Sequence, residues 1–262
     1  MTTDQIIMAR EGTVGRITFN NPERHNAMSL DMWRGGEAAI REFVESDDVR
    51  VIVLTGAGDK AFVAGADISK FGKERDSKAA IDEYNVVVKS FQDTLTLAPI
   101  PTIAEIGGYA IGGGLAIALC CDIRIASDDS RFAVPAAKLG LGYAAAGIER
   151  LMQVVGPSFA MEIFCTARQF DAAEALTMGL INRVVPRDEL RSVCDDYTKR
   201  ISGNAPLTIR AVKTAVTENL KAPVDRNVAL CAKQVAACFA SEDYKEGRTA
   251  FMEKRPPQFT GK

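Results

Sequence analysis

Four short apolar and β-branched runs, Val14–Asn20, Val49–Thr55, Pro101–Ile106 and Cys121–Ala126, are spaced along the first half of the chain. Between and after them lie stretches of helical spacing at Ser29 to about Val44, Ala79–Thr96 and Gly113 to about Leu119. Runs of strand length alternating with helical periodicity specify an α/β fold. Ser29 stands where a helix N-cap is wanted. Gly35-Gly36 inside the helix that follows costs about 1–2 kcal/mol against alanine and predicts a close approach by another element.

From about Ala144 the alternation fades and one helical pattern follows another, interrupted only by a strand-like run at Leu180–Val185. No Ser-, Gly- or Pro-rich linker separates the halves. Ala-Val-Lys-Thr-Ala-Val at 211–216 and the run Cys231–Phe239 carry more apolar side chains than one face of one core needs. That surplus predicts burial against another subunit.

With 262 residues, 47% of them hydrophobic, the chain can bury a large core without staples. A formal net charge of −2 supplies no uniform basic field, which argues against nucleic acid or an anionic membrane as partner. Neither a basic, apolar leader at Met1–Gln5 nor any apolar run near ~18 residues is present, so a soluble, cytoplasmic protein is expected. Cys120, Cys121, Cys165, Cys194, Cys231 and Cys238 lack paired CxxC spacing and read as reduced core thiols. The single histidine, His25, sits among turn formers and reads as an exposed loop imidazole. One histidine is too few for a His-rich metal site, and no metal is expected.

Two glycine-rich turns carry the chemistry: Ala64-Gly65-Ala66-Asp67-Ile68 after the Val51–Thr55 run, and Gly112-Gly113-Gly114 after Pro101–Ile106. The second is not a dinucleotide loop, because Ile117 holds the third glycine position, and no Gly-Lys-Ser/Thr follows for a phosphate loop. Each turn leads from a strand toward a helix start, where main-chain N–H groups are unpaired and the dipole is positive. Asp67 is placed to cap the first helix. If the turns meet, the amides of Ala66 and Gly113 form a pocket for a negatively charged oxygen. A glycine triplet alone serves equally well for a sharp turn or close helix packing.

The segments Asn21-Pro22-Glu23-Arg24-His25-Asn26-Ala27, Ala61–Ile68, Tyr109–Gly114 and Ala250-Phe251-Met252-Glu253-Lys254-Arg255 resemble those of the enoyl-CoA hydratase/isomerase, or crotonase, superfamily. The resemblance covers nearly the whole chain. It implies a spiral of ββα units over residues 1–200 carrying the thioester site, and a helical region at 201–262 that trimerises, giving a homotrimer or a hexamer of paired trimers. It implies a CoA thioester whose carbonyl oxygen lies between the amides of Ala66 and Gly113, with coenzyme A arriving as part of the substrate and no separate cofactor. Backbone at Ala64, Gly65, Ala66, Asp67 and Ile68, with Gly112 and Gly113, would contact the ligand, and Phe251 and Lys254 would contribute across a subunit boundary.

The family's hydratases use two glutamates, and the matching positions here are Ala116 and Ala136. Each missing acid or base costs about 10²–10⁴ in rate, so two-glutamate hydration is not expected. Tyr143 matches a tyrosine of the methylmalonyl-CoA decarboxylase branch, although that branch has histidine at the position of Ala66. A phenol stays protonated at neutral pH and can protonate an enolate. It can equally be a loop aromatic packed over the acyl pocket. Glu149, read as beginning the next helix, could be a relocated base, or a dipole partner like Asp67. Decarboxylation of a malonyl-type thioester and non-catalytic acyl-CoA binding therefore stand beside the broader enolate chemistry. The apolar surplus of the last third makes one prediction testable at once: light scattering should return an oligomeric mass, and a monomeric mass would contradict it.

Overall fold

Strand pairing in the computed structural model, which describes residues 4–70 and 76–262, divides the strands between two sheets. The first contains β1 (Ile6–Glu11), β2 (Val14–Phe19), β3 (Val51–Gly56), β5 (Thr102–Ile106), β7 (Ile123–Ser127) and β10 (Arg183–Val185), in the spatial order β1-β2-β3-β5-β7-β10. Only β1 and β2 are antiparallel; the other neighbours are parallel. The second holds β4 (Ala61–Val63), β6 (Tyr109–Ile111), β8 (Arg131–Ala133) and β9 (Phe170–Asp171), in that order, with β8 and β9 antiparallel.

Each turn of the chain places one strand in the first sheet, a short one in the second, and then a helix. The three repeats are β3, β4 and α2 (Lys78–Thr96); β5, β6 and α3 (Gly113–Cys120); and β7, β8 and α4 (Ala145–Thr166). This is the α/β spiral of ββα units that was expected. The sequence reading lacked β1 and all of the second sheet. A three-residue strand is too short to show a period of two, and β1 is mostly exposed, so it carries no alternating buried pattern. α4 is broken at Gly156, whose φ is +74°, just before Pro157.

Period-two geometry explains why β3 reads as continuously apolar. Ile52 and Leu54 join the large core shared with α1 (Leu30–Glu45) and α2, whereas Val51 and Val53 face a second core with Ile103, Ile125 and Leu190. After the short α5 (Ala172–Thr177), α6 (Leu190–Ser202) covers that second face, and the expected boundary at residue 200 lies in its last turn. Ser29 caps α1 as expected, its Oγ accepting from the Met32 amide at 3.3 Å. Three of the six free cysteines, Cys120, Cys121 and Cys194, are buried; Cys165 is exposed and Cys231 and Cys238 are half-buried, so the reading of all six as core thiols is corrected.

The C-terminal region comprises α7 (Pro206–Asn219), α8 (Val228–Ala240) and α9 (Glu242–Glu253). Lys213 on α7 donates to Asp122 (2.7 Å) and to the Ile100 carbonyl (3.0 Å), while Arg50 donates to the carbonyls of Ser202 and Phe259. These contacts tie the tail to the core. Val212, Val216, Leu220, Val228 and Phe239 are nevertheless exposed, leaving an apolar surface uncovered within one chain. No described helix is long and apolar enough to cross a membrane.

The close approach predicted at Gly35-Gly36 is found at Gly36, where a Cβ would lie 2.7 Å from Cε2 of the fully buried Phe91 ring. Gly36→Ala should therefore destabilise the fold by about 1–3 kcal/mol in chemical unfolding despite alanine's better helix propensity. A stabilised variant would show that the ring moves freely.

Candidate active site

The segment Asn21–Met28 is scaffolding for the first glycine turn. Asn26 is fully buried at φ +57°; its Oδ1 accepts from the Asn21 amide (3.0 Å), and its Nδ2 donates to the carbonyls of Ala57 (2.9 Å) and Ala61 (2.7 Å). The Ala64 amide donates to the His25 carbonyl (3.0 Å). The Met28 amide donates to Gly65 (2.8 Å), and the Asp67 amide to Met28 (2.9 Å). Met28 and Ala66 thus form a parallel bridge, in which the residues flanking Ala66 make the hydrogen bonds. The Ala66 N–H points the other way and has no acceptor among the described residues. Gly65, at φ +109°, supplies the backbone bend that precedes it.

The second turn reaches the same place through the second sheet. β4 and β6 pair in parallel, Ala61 with Tyr109 and Val63 with Ala110, which sets the two turns side by side. Gly113 is the first residue of α3, so its amide has no partner in the preceding turn, and none among the described residues. Gly114 permits the close approach: a Cβ there would sit 1.9 Å from the Val63 carbonyl oxygen. A Cβ built on Gly113 would lie 3.7 Å from the Ala66 nitrogen. Two unpaired amides therefore lie next to each other at the positive end of an apolar helix.

The second turn was expected directly after Pro101–Ile106, and the first after Val51–Thr55, a polar stretch and Phe62-Val63; the short strands β6 and β4 precede them. Asp67 is buried and caps a 3-10 turn over Ile68–Lys70, its Oδ1 accepting from the Ser69 amide (3.1 Å) and hydroxyl (2.6 Å). The helix expected after it would enter residues 71–75, which are outside the described residues. His25 is exposed, as read from the sequence.

The side chains of Pro135 and Trp33 lie beside Gly112 and Gly113, respectively. Ala116 is half-buried at the end of the first turn of α3, and the Cys120 thiol one turn later donates to its carbonyl. Ala136 is buried in the 3-10 turn Pro135–Leu139, and Pro135 lies beside Gly112. Tyr143 is half-buried, its ring centred 4.8 Å from that of Phe164 and tilted by 66°. Burial pushes its phenol pKa up, against the opposing field of Arg150. Glu149 does not begin α4, which starts at Ala145; it is exposed in the second turn and has no hydrogen-bond or ion-pair partner among the described residues. Phe251, 83% exposed, and Lys254 lie at the end of α9 and share no hydrogen bond, ion pair or ring contact with the two turns in the same chain. Trp33, which the sequence reading treated only as part of a helix, lies against Gly113: its Cζ2 is 3.6 Å from the Gly113 Cβ position. Two surface clefts, of about 390 Å³ between α1 and α2 and about 580 Å³ beside α9, include none of these turn residues.

The family profile described as enoyl-CoA hydratase/isomerase matches residues 9–262. The chain belongs to the enoyl-CoA hydratase/isomerase family. It is 35% identical over 255 residues to the short-chain-enoyl-CoA hydratase of Clostridium acetobutylicum, with 97% of each chain covered. It is 34% identical to the crotonyl-CoA hydratase of Syntrophomonas wolfei over the full length of both. A crystal structure of an enoyl-CoA hydratase/carnithine racemase from Magnetospirillum magneticum superposes with a TM-score of 0.93 at 36% identity, covering 100% of this chain and 97% of that one. The ββα spiral is thus the family's crotonase fold, and membership places the protein among acyl-CoA enzymes.

The raised phenol gives a pH prediction. A folded-state pKa above the unfolded value of about 10 means that Tyr143 contributes stability fully present below pH ~10 and lost as pH rises through the folded value. The difference between phenolate absorbance titrations of wild type and Tyr143→Phe should isolate one ionisation above the usual tyrosine value. A difference curve centred at or below that value would refute the buried placement.

Proposed function

We propose that the protein is an acyl-CoA enzyme that holds a thioester carbonyl oxygen between the amides of Ala66 and Gly113 and stabilises the enolate formed from it. The observation that carries this reading is the convergence of two unpaired amides, with Ala66 N 3.7 Å from the Gly113 Cβ position. A well-aimed donor to such an oxygen contributes about 3–4 kcal/mol to the transition state. The remaining backbone of Ala64–Ile68 and Gly112 would cradle the coenzyme A portion of the substrate. Phe251 and Lys254 would reach it from a neighbouring copy in a homotrimer or hexamer, which would also cover the apolar C-terminal face. A cytoplasmic setting suits such a substrate, and no further cofactor is needed.

The relatives named as hydratases support water addition to an enoyl thioester. Ala116 and Ala136, where the family resemblance sets the two glutamates, oppose it by the usual acid–base route. Tyr143 favours a second reading, decarboxylation of a malonyl-type thioester. There the bond between the α-carbon and the carboxylate breaks, carbon dioxide leaves, its electron pair enters the enolate, and the phenol returns a proton to the α-carbon.

Mass-resolved turnover of crotonyl-CoA and methylmalonyl-CoA, run beside Tyr143→Phe and Glu149→Gln, tests both. Thioester turnover that Gly113→Pro abolishes, with the fold intact by circular dichroism, is the expected result for the amide pair; undiminished turnover in that variant would refute it. Hydration lost in Glu149→Gln would make that carboxylate the base, and carbon dioxide release lost in Tyr143→Phe would make the protein a decarboxylase. Thioester binding with no turnover of any thioester would leave a binding subunit.

A further inference from the structure

The protein has a single tryptophan, Trp33, and it stands beside the amide pair. It projects from α1, is 1% exposed, and brings Cζ2 to 3.6 Å from the Gly113 Cβ position. Its Nε1 donates to the Tyr84 hydroxyl on α2 at 3.1 Å, and its ring meets Phe91 edge-on at 5.1 Å and 74°. Phe91 in turn occupies the space left by Gly36 on α1. The indole is therefore held by a hydrogen bond at one edge and by a locked aromatic ring at its side.

Leucine or phenylalanine would fill such a space without burying any polar group. An indole N–H and a phenol are costly to bury unless they satisfy one another, and here the pairing also fixes the orientation of the ring. What it fixes is a rigid mass on the side of Gly113 that faces α1 and α2. An acyl chain whose carbonyl oxygen sat at the Gly113 amide would meet the indole in that direction.

We infer that Trp33 is a specificity-determining residue that stops the acyl chain on the α1–α2 side and restricts the enzyme to short acyl thioesters, with Tyr84 as its positioning residue. The inference rests on the proposed thioester site. It separates from that site in the experiment: calorimetric affinities for butyryl-CoA and octanoyl-CoA in wild type, Trp33→Leu and Tyr84→Phe, with circular dichroism and tryptophan emission recorded alongside. Wild type should prefer butyryl-CoA by about tenfold or more, the scale at which added methylene groups are rejected by a filled pocket. Trp33→Leu should narrow that ratio by about tenfold. Tyr84→Phe should shift the emission of the single tryptophan and narrow the ratio by about threefold, the scale of one lost hydrogen bond. Equal wild-type affinities, or a ratio unchanged in folded variants, would overturn the inference and leave the thioester site standing. If Trp33→Leu does not fold, Tyr84→Phe decides alone. Failure to bind either thioester would overturn both.

Discussion

The parallel pairing of β4 with β6 is the contact on which the site depends. It matches Ala61 to Tyr109 and Val63 to Ala110, so the residues after each strand, Ala64–Asp67 and Gly112–Gly114, emerge at the same edge of the second sheet. Gly114 lets α3 start directly against the Val63 carbonyl, where any Cβ would collide. Asn26 closes the arrangement from the other side by holding the carbonyls of Ala57 and Ala61. Backbone groups in a protein interior are almost always paired. The amides of Ala64, Asp67 and Gly112 donate to the carbonyls of His25, Met28 and Ala133, whereas those of Ala66 and Gly113 have no acceptor among the described residues.

On the proposed reading, that arrangement separates binding from chemistry. The amides belong to the backbone and survive side-chain substitution, so a fold of this kind can keep its hold on an oxygen while the groups around it change. Alanines stand at 116 and 136, a half-buried phenol stands in the loop before α4, and Glu149 is exposed. In apolar surroundings a preorganised donor is worth more than in water, because nothing competes for the charge that develops.

The outer layers have a different role. α6 seals the second face of the first sheet through Leu190 and Cys194, and the C-terminal helices are tied back by Lys213 and Arg50. Their outward apolar side chains, among them Val212, Val216 and Phe239, are not needed for the core of one chain. Such a surface is a cost to a lone protomer and an asset to an assembly.

Much of this was legible in the sequence. The long strands, the three helices of the first half and the Ser29 cap follow from periodicity and capping chemistry, which act over a few residues. The two glycine turns were visible for the same reason. The second sheet was not, because strands of three residues carry no period and exist only through partners some 20 to 50 residues away in sequence. Glu149 was read as a helix start when α4 begins at Ala145, and Trp33 was read only as part of a helix when it abuts Gly113. The sequence by itself determined the long strands, the helices of the first half and which amides could be free. Only the tertiary structure decided that those amides meet and that an indole stands beside them, because both depend on register between strands distant along the chain.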